Sequence, residues 1–211
     1  MGASHRWQDQ QQRRIGITGG IASGKSSIGS YLLSRGLPVL DADLYAHEAL
    51  MPGSHLTEAV VQRFGSRVEQ QLKSGEEAIG TTRKIDRQAL GQIIFQNSKE
   101  RLWLEQLIHP KVLERFEQDI AFHAEAPALA LVIPLLFEKG LEKLCTEVWV
   151  VSCFRKQQQE RLMARNGLSV IQAEQRIQAQ WPLERKSQLA DQVIDNSGTP
   201  NGWQEQVSKL L

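Results

Sequence analysis

The eight residues Gly19-Gly20-Ile21-Ala22-Ser23-Gly24-Lys25-Ser26 restrict what this chain can fold into more than any other segment. They satisfy G-x-x-x-x-G-K-[ST] without a mismatch, with an apolar run at residues 14–18 before them and a helical pattern at residues 25–34 after them. A strand, a glycine-rich turn and a helix in that order build a phosphate-binding loop. Gly19 and Gly24 permit dihedrals closed to other residues, so that successive amides can curl around an anion. The unpaired N–H groups and positive dipole end of the helix starting near Lys25 add to the cradle. Gly20, Ile21, Ala22, Ser23, Gly24, Lys25, Ser26 and Ser27 are therefore expected to hold the phosphates of ATP. Lys25 would bridge the β- and γ-phosphates, and the Ser26 hydroxyl would coordinate Mg²⁺.

Four further apolar runs, at residues 38–40, 129–133, 148–152 and 192–194, alternate with helical patterns. Runs with little polar alternation fit strands buried on both faces, which predicts an α/β fold with a five-stranded parallel sheet flanked by helices. Helical patterns occupy residues 102–123, 155–166, 169–180 and 203–211. Two intervals break the rhythm. Residues 50–124 hold more helix than one crossover needs and read as an inserted subdomain helping to hold an acceptor, with a polar surface loop at residues 74–82. Residues 155–186 read as a pair of Arg-rich helices between the fourth and fifth strands. The 211 residues are expected to form a single domain with these two elaborations.

The balance of 25 basic against 24 acidic residues gives a net charge of +1, which supplies no field for nucleic acid or an anionic membrane. Any anion site must be local. Cys145 and Cys153 have neither metal-ligand nor disulfide spacing and read as buried thiols of a reducing compartment. The polar start of the chain lacks a signal sequence, Arg6 spoils a myristoylation motif after Met1-Gly2, and no segment approaches a membrane span. The expectation is a cytoplasmic protein with no membrane partner. Its oligomeric state is open. Glutamine-rich stretches at residues 8–12 and 157–159 read as solvated.

A phosphate loop alone serves switches, motors and small-molecule kinases. The Asn-Lys-x-Asp segment of guanine-specific switches is missing, and the third apolar run ends in Pro134 rather than in an acidic residue. Asp41-Ala42-Asp43 stands at the end of the second strand, where open α/β sheets bind ligands. One of these carboxylates could orient or deprotonate an attacking hydroxyl, while the other binds the water shell of the metal or fixes its neighbour. Helix capping is the structural alternative for both.

The chain resembles the dephospho-CoA kinase family over roughly residues 14–198. The resemblance rests on Ile17-Thr18-Gly19-Gly20-Ile21 leading into the loop, Asp41-Ala42-Asp43, Asp86-Arg87, His109-Pro110, Pro134-Leu135-Leu136-Phe137-Glu138, and Ala190-Asp191 through Ile194-Asp195-Asn196. It implies phosphorylation of the ribose 3′-hydroxyl of dephospho-CoA by ATP, with Mg²⁺. It also implies Asp43 as the general base and a mobile lid at residues 155–186, with Arg161 and Arg165 as phosphate contacts. Asp86, Arg87, His109 and Glu138 would contact the acceptor. His109 could instead cap a helix before Pro110, and Glu138 could cap the helix that follows it. Many members carry Arg where this chain has His47, and Gly where it has Ala22. The competing readings are another nucleoside or nucleotide kinase, and a regulatory protein that holds ATP without turnover.

Overall fold

The computed structural model describes residues 12–70 and 83–211. Gln8 to Gln11, the myristoylation motif and the polar patch at residues 74–82 lie outside them. Five parallel strands, β1 (Arg13–Gly19), β2 (Val39–Asp41), β3 (Ala128–Val132), β4 (Glu147–Ser152) and β5 (Gln192–Asp195), form one sheet in the order β2-β3-β1-β4-β5. The expected strands are all present, with ends that differ by one residue at most. Their apolar character follows from position: β1 is paired on both sides, Ile15 and Ile17 facing partners in β3 and β4 across the ladders. Such a strand has no water-facing edge and is buried through most of its length.

The chain divides into two compact units, one comprising residues up to Ala42 together with Asp119–Leu211, the other Asp43–Gln118. The first carries the sheet with α1 (Lys25–Ser34), α6 (Arg155–Asn166), α7 (Val170–Gln178), α8 (Leu183–Gln188) and α9 (Trp203–Leu210). Its core packs Ile15, Ile17, Trp149 and Val151 of the sheet against Ile28 and Leu32 of α1 and Trp203 and Val207 of α9. Both cysteines are free and buried, as their spacing predicts.

The second unit holds most of α2 (Ala42–Ala49), then α3 (His55–Phe64), α4 (Arg87–Gln96) and the larger part of α5 (Ser98–Phe122). Edge-to-face ring pairs knit it together: Tyr45 with Phe116 at 5.0 Å and Phe64 with Trp103 at 5.6 Å. Arg63 covers the Trp103 ring at 4.4 Å and bonds Glu100 at 2.6 Å. α5 runs through Pro110 without ending, so His109 sits inside a 25-residue helix and not at a helix start. A proline there removes one N–H bond of the ladder.

Two sequence readings need correction. The Arg-rich interval contains three helices, because residues 183–188 form the short α8 after Pro182, a residue with φ fixed near the helical value and no N–H to lose. The glutamines are not uniformly solvated. Gln12 is buried and donates from Nε2 to the carbonyls of His123 and Ala126, and Gln158 is 4% exposed. A carboxamide can be buried wherever backbone groups satisfy it. Among the described residues no helix is long and apolar enough to cross a membrane.

Candidate active site

β1 delivers the chain into the loop at the middle of the sheet, and the backbone there departs from ordinary geometry three times. Gly19 (φ 149°) and Gly24 (φ 110°) occupy positive φ, and so does Ala22 (φ 58°). Only the first two are glycines. Ala22 therefore holds a left-handed conformation that costs an L-residue about 1 kcal/mol. Gly24 is also the N-cap of α1; its carbonyl takes the Ser27 and Ile28 amides at 3.1 and 3.2 Å, and with no side-chain cap it brings no side chain of its own to compete with an anion at the start of that helix. Lys25 is buried in the loop's mouth, where its Nζ donates to the Gly20 carbonyl at 2.8 Å and to Gly19 at 3.4 Å. Ser26 and Ser27 follow in the first turn with exposed side chains.

Three carboxamides brace this loop from outside. Gln180 Oε1 accepts the Ile21 N–H at 2.7 Å, Gln158 Nε2 donates to the Ile21 carbonyl at 2.8 Å, and Asn196 Nδ2 donates to the Ser23 carbonyl at 2.8 Å. A Cβ on Gly24 would run into the Asn196 amide, so glycine at that position answers a close approach as well as a positive φ. Arg161 Nη2 donates to the Asn196 carbonyl at 3.0 Å, which ties α6 to the end of β5 and thence to the loop. Burial pushes the Cys153 thiol pKa up against the opposing pull of Arg161 and Lys25, so both cations lie within electrostatic reach of the end of β4.

Two of the four orphaned polar atoms among the described residues, Ser23 Oγ and Arg161 Nη1, point the same way; the others belong to the carboxylates of Glu138 and Glu142. Ser23 Oγ, Arg161 Nη1 and Glu138 Oε2 are buried without a hydrogen-bond partner, an expensive condition that a polyanionic ligand would relieve for the hydroxyl and the guanidinium. Arg165, one turn beyond Arg161, is exposed and bonds the side chain of Asn166 at 2.9 Å. Arg176 of α7 has its pKa lowered first by burial and then by the charge of Arg165, which brings two guanidinium groups close together.

Glu138 does not cap a helix. Its Oε1 pairs with Lys186 at 2.8 Å and accepts the Trp181 N–H at 3.0 Å. Lys186 is fully buried and also donates to the Pro134 carbonyl at 3.0 Å and to Gly19 at 3.4 Å. Thr18 Oγ1 donates to the same Pro134 carbonyl at 3.1 Å. Desolvation lowers the Lys186 pKa, and Glu138 partly restores it. A cavity of about 220 Å³ lies beside the loop, lined by Gly20, Cys153, Gln158, Gln180, Trp181 and Leu183 among others.

The remaining expected residues belong to the other unit, apart from Asp41 at the end of β2. Asp43 is in the first turn of α2 with an exposed side chain. Asp86 is the N-cap of α4, its Oδ1 accepting from the Gln88 and Ala89 amides at 2.9 and 3.0 Å. Arg87 donates to the His47 carbonyl at 2.8 Å and so sets a fixed positive charge beside position 47. His109 is half-buried in α5.

Sequence reasoning gave no role to Gln158, Gln180 or Lys186. Their signal was weak: glutamines in a polar run and a lysine in an exposed-looking helix resemble solvated surface. Asn196 carried part of the resemblance but no role.

Comparison with known proteins agrees with this geometry. The family model described as dephospho-CoA kinase matches residues 13–201. The dephospho-CoA kinase of Synechococcus sp. (strain CC9605) is 56% identical over 200 residues, covering 95% of this chain and 92% of that protein. The dephospho-CoA kinase of Prochlorococcus marinus (strain MIT 9313) is 53% identical over 206 residues, covering 97% and 98%. A crystal structure of a Thermus thermophilus protein superimposes with a TM-score of 0.75 at 32% identity, covering 95% of this chain and 97% of that one. The dephospho-CoA kinase from Campylobacter jejuni gives 0.63 at 30% identity, covering 93% and 94%. The loop, the sheet that carries it and the match along nearly the whole sequence agree that this chain belongs to the dephospho-CoA kinase family.

Proposed function

We propose that the protein transfers the γ-phosphoryl group of ATP to the ribose 3′-hydroxyl of dephospho-CoA, releasing coenzyme A and ADP. The observation that carries this reading is the uncapped N-terminus of α1 behind a loop whose mouth holds a buried lysine, in a chain more than half identical to named dephospho-CoA kinases. Phosphoryl transfer leaves the protein chiefly the tasks of positioning and charge stabilisation. Lys25 meets the β- and γ-phosphates, and the amides of the loop and of the first turn of α1 that are not already bonded within the protein cradle them. Arg161, with an unpartnered guanidinium nitrogen, adds a donor suited to phosphate oxygens, and Arg165 adds a second as residues 155–186 close over the triphosphate.

Ser26 would hold Mg²⁺ through its exposed hydroxyl. Among the described residues no cluster of three or more His, Cys, Asp or Glu could hold a metal by itself, which suits an ion held largely by phosphates and water. When bound, the ion neutralises charge on the β- and γ-phosphates.

Asp43 serves as the base that aims the acceptor hydroxyl and takes its proton, and Asp41 supports it or the metal's water shell. The Asp43–Gln118 unit holds the acceptor, with Arg87 and His109 as contacts. Asp86 shapes the start of α4 so that Arg87 is presented there. Arg87 supplies the fixed charge that many relatives carry at the position of His47. Glu138 orients the acceptor. Free buried cysteines fit a reducing cytoplasm, where both substrates occur as small molecules.

The test is to mix the purified protein with ATP, Mg²⁺ and dephospho-CoA and to follow coenzyme A by mass, beside parallel reactions with nucleosides and nucleoside monophosphates. Formation of coenzyme A in preference to the other products is expected. Preferential phosphorylation of a nucleoside or nucleotide would replace the acceptor assignment.

A further inference from the structure

Ile21 sits third in the loop, and both of its peptide groups are already occupied. Its N–H goes to Gln180 Oε1 and its carbonyl receives Gln158 Nε2. The backbone dictates which end of each carboxamide faces it: an N–H can only be met by an oxygen, a C=O only by a donor. The two glutamines come from different elements. Gln158 belongs to the first half of α6, three residues before Arg161 and hence on the same face of that helix. Gln180 lies just beyond the end of α7.

Gly20 leaves room for the same arrangement. Its φ lies outside the left-handed range, so the backbone does not require glycine there. A Cβ at Gly20 would instead collide with Gln158 Nε2 and approach Leu183 Cδ1 at 3.2 Å. The missing side chain makes room for the incoming amide.

We propose that Gln158 and Gln180 are positioning residues that latch the lid helices to the phosphate loop through Ile21. The latch holds the loop ahead of the strained Ala22 in its phosphate-binding shape and fixes α6 so that Arg161 stands over it. Opening α6 away from the loop requires giving up the bond to the Ile21 carbonyl. Loop shape and lid position are thereby one variable. This rests on the kinase reading for its meaning in turnover and for nucleotide binding, but its amide-exchange readout does not.

Four variants separate the latch from a general effect of charge or packing: Gln158→Glu, Gln158→Met, Gln180→Glu and Gln180→Met. Gln180→Glu keeps the oxygen that accepts from Ile21, whereas Gln158→Glu places an acceptor against an acceptor. The latch predicts that Gln158→Glu, Gln158→Met and Gln180→Met weaken MgADP binding, measured by calorimetry, by roughly 5- to 100-fold, and Gln180→Glu by less than about 3-fold. It also predicts that exchange of the Ile21 amide, followed by NMR, accelerates in Gln180→Met and stays slow in Gln180→Glu. Thermal unfolding confirms that each variant is folded, and the Met variants decide the matter if a Glu variant is not. Equal effects of the two Glu substitutions, or unchanged Ile21 exchange in Gln180→Met, would overturn the latch. Neither readout requires dephospho-CoA, so failure of the acceptor assignment and failure of the latch are distinct results.

Discussion

Replacing Lys186 with Met removes the most completely buried charge described in the sheet-bearing unit while keeping a long, flexible side chain. The ammonium has three neighbours: Glu138 Oε1 at 2.8 Å, the Pro134 carbonyl at 3.0 Å and the Gly19 carbonyl at 3.4 Å. The two carbonyls keep other donors, Thr18 for Pro134 and Lys25 for Gly19. The carboxylate is the group left exposed to the loss. Glu138 is 11% exposed in its side chain, and it would retain only the Trp181 N–H while its other oxygen already lacks a partner. Breaking a buried pair on one side costs about 3–5 kcal/mol, because the remaining charge is neither hydrated nor compensated. For a chain of this size that corresponds to a fall in Tm of roughly 6–20 °C. Replacing both partners, Lys186→Met with Glu138→Gln, removes the uncompensated charge and is expected to recover about half of the loss or more. The assay is urea unfolding of the four proteins, followed by fluorescence of the buried Trp149 and Trp203, with a coupling energy taken from the cycle. A coupling below about 0.5 kcal/mol would refute the argument, since the pair would then behave like an exposed one.

Lys25→Ala should cut turnover by about 10²- to 10³-fold or more with the fold preserved, checked by single-turnover kinetics beside circular dichroism, because the amide cradle survives the loss of the charge. Asp43→Asn should lower kcat by roughly two to four orders of magnitude with a much smaller change in ATP affinity, whereas Asp41→Asn should be milder; the reverse order would exchange their roles. Ala22→Gly relieves a left-handed residue but adds freedom to the unfolded chain, so a net gain of about 0.5 kcal/mol, or roughly 1–2 °C in Tm, is expected; a loss would mean that the loop gains more from restriction than it spends in strain.

The sheet was legible in the sequence because central parallel strands must be apolar on both faces, and Ile15, Ile17 and residues 129–132 have no polar alternation to confuse the pattern. α1 and α6 were legible to the residue: a glycine-rich loop sets the start of one, and Gly167 at φ 62° closes the other. α8 was not, since six residues with one buried lysine carry no period worth reading. The loop residues of the candidate site followed from their own chemistry. Its supports did not. Gln158, Gln180 and Lys186 act across separations of 52 to 167 residues, on backbone groups that no local pattern advertises. Glu138 was singled out as an acceptor contact or a helix cap, but its partner Lys186, which makes it half of a buried ion pair, was not.

The order β2-β3-β1-β4-β5 has a consequence for how such a chain is made. β1 emerges from the ribosome first, yet its two neighbours begin at Ala128 and Glu147, so more than a hundred residues must be synthesised before the central strand finds a partner. At about 5–20 residues per second that wait lasts roughly 5–22 s. Throughout it, an apolar ribbon with two unsatisfied edges and the phosphate loop at its end remains open to wrong pairings or to chaperones. The helices coded by the intervening residues can form locally in that time, whereas the phosphate loop cannot take its final shape before β3, β4 and the residues that brace it have appeared. Nascent chains halted before residue 128 should accordingly fail to bind nucleotide, and competence should arise only after Asn196 has left the exit tunnel.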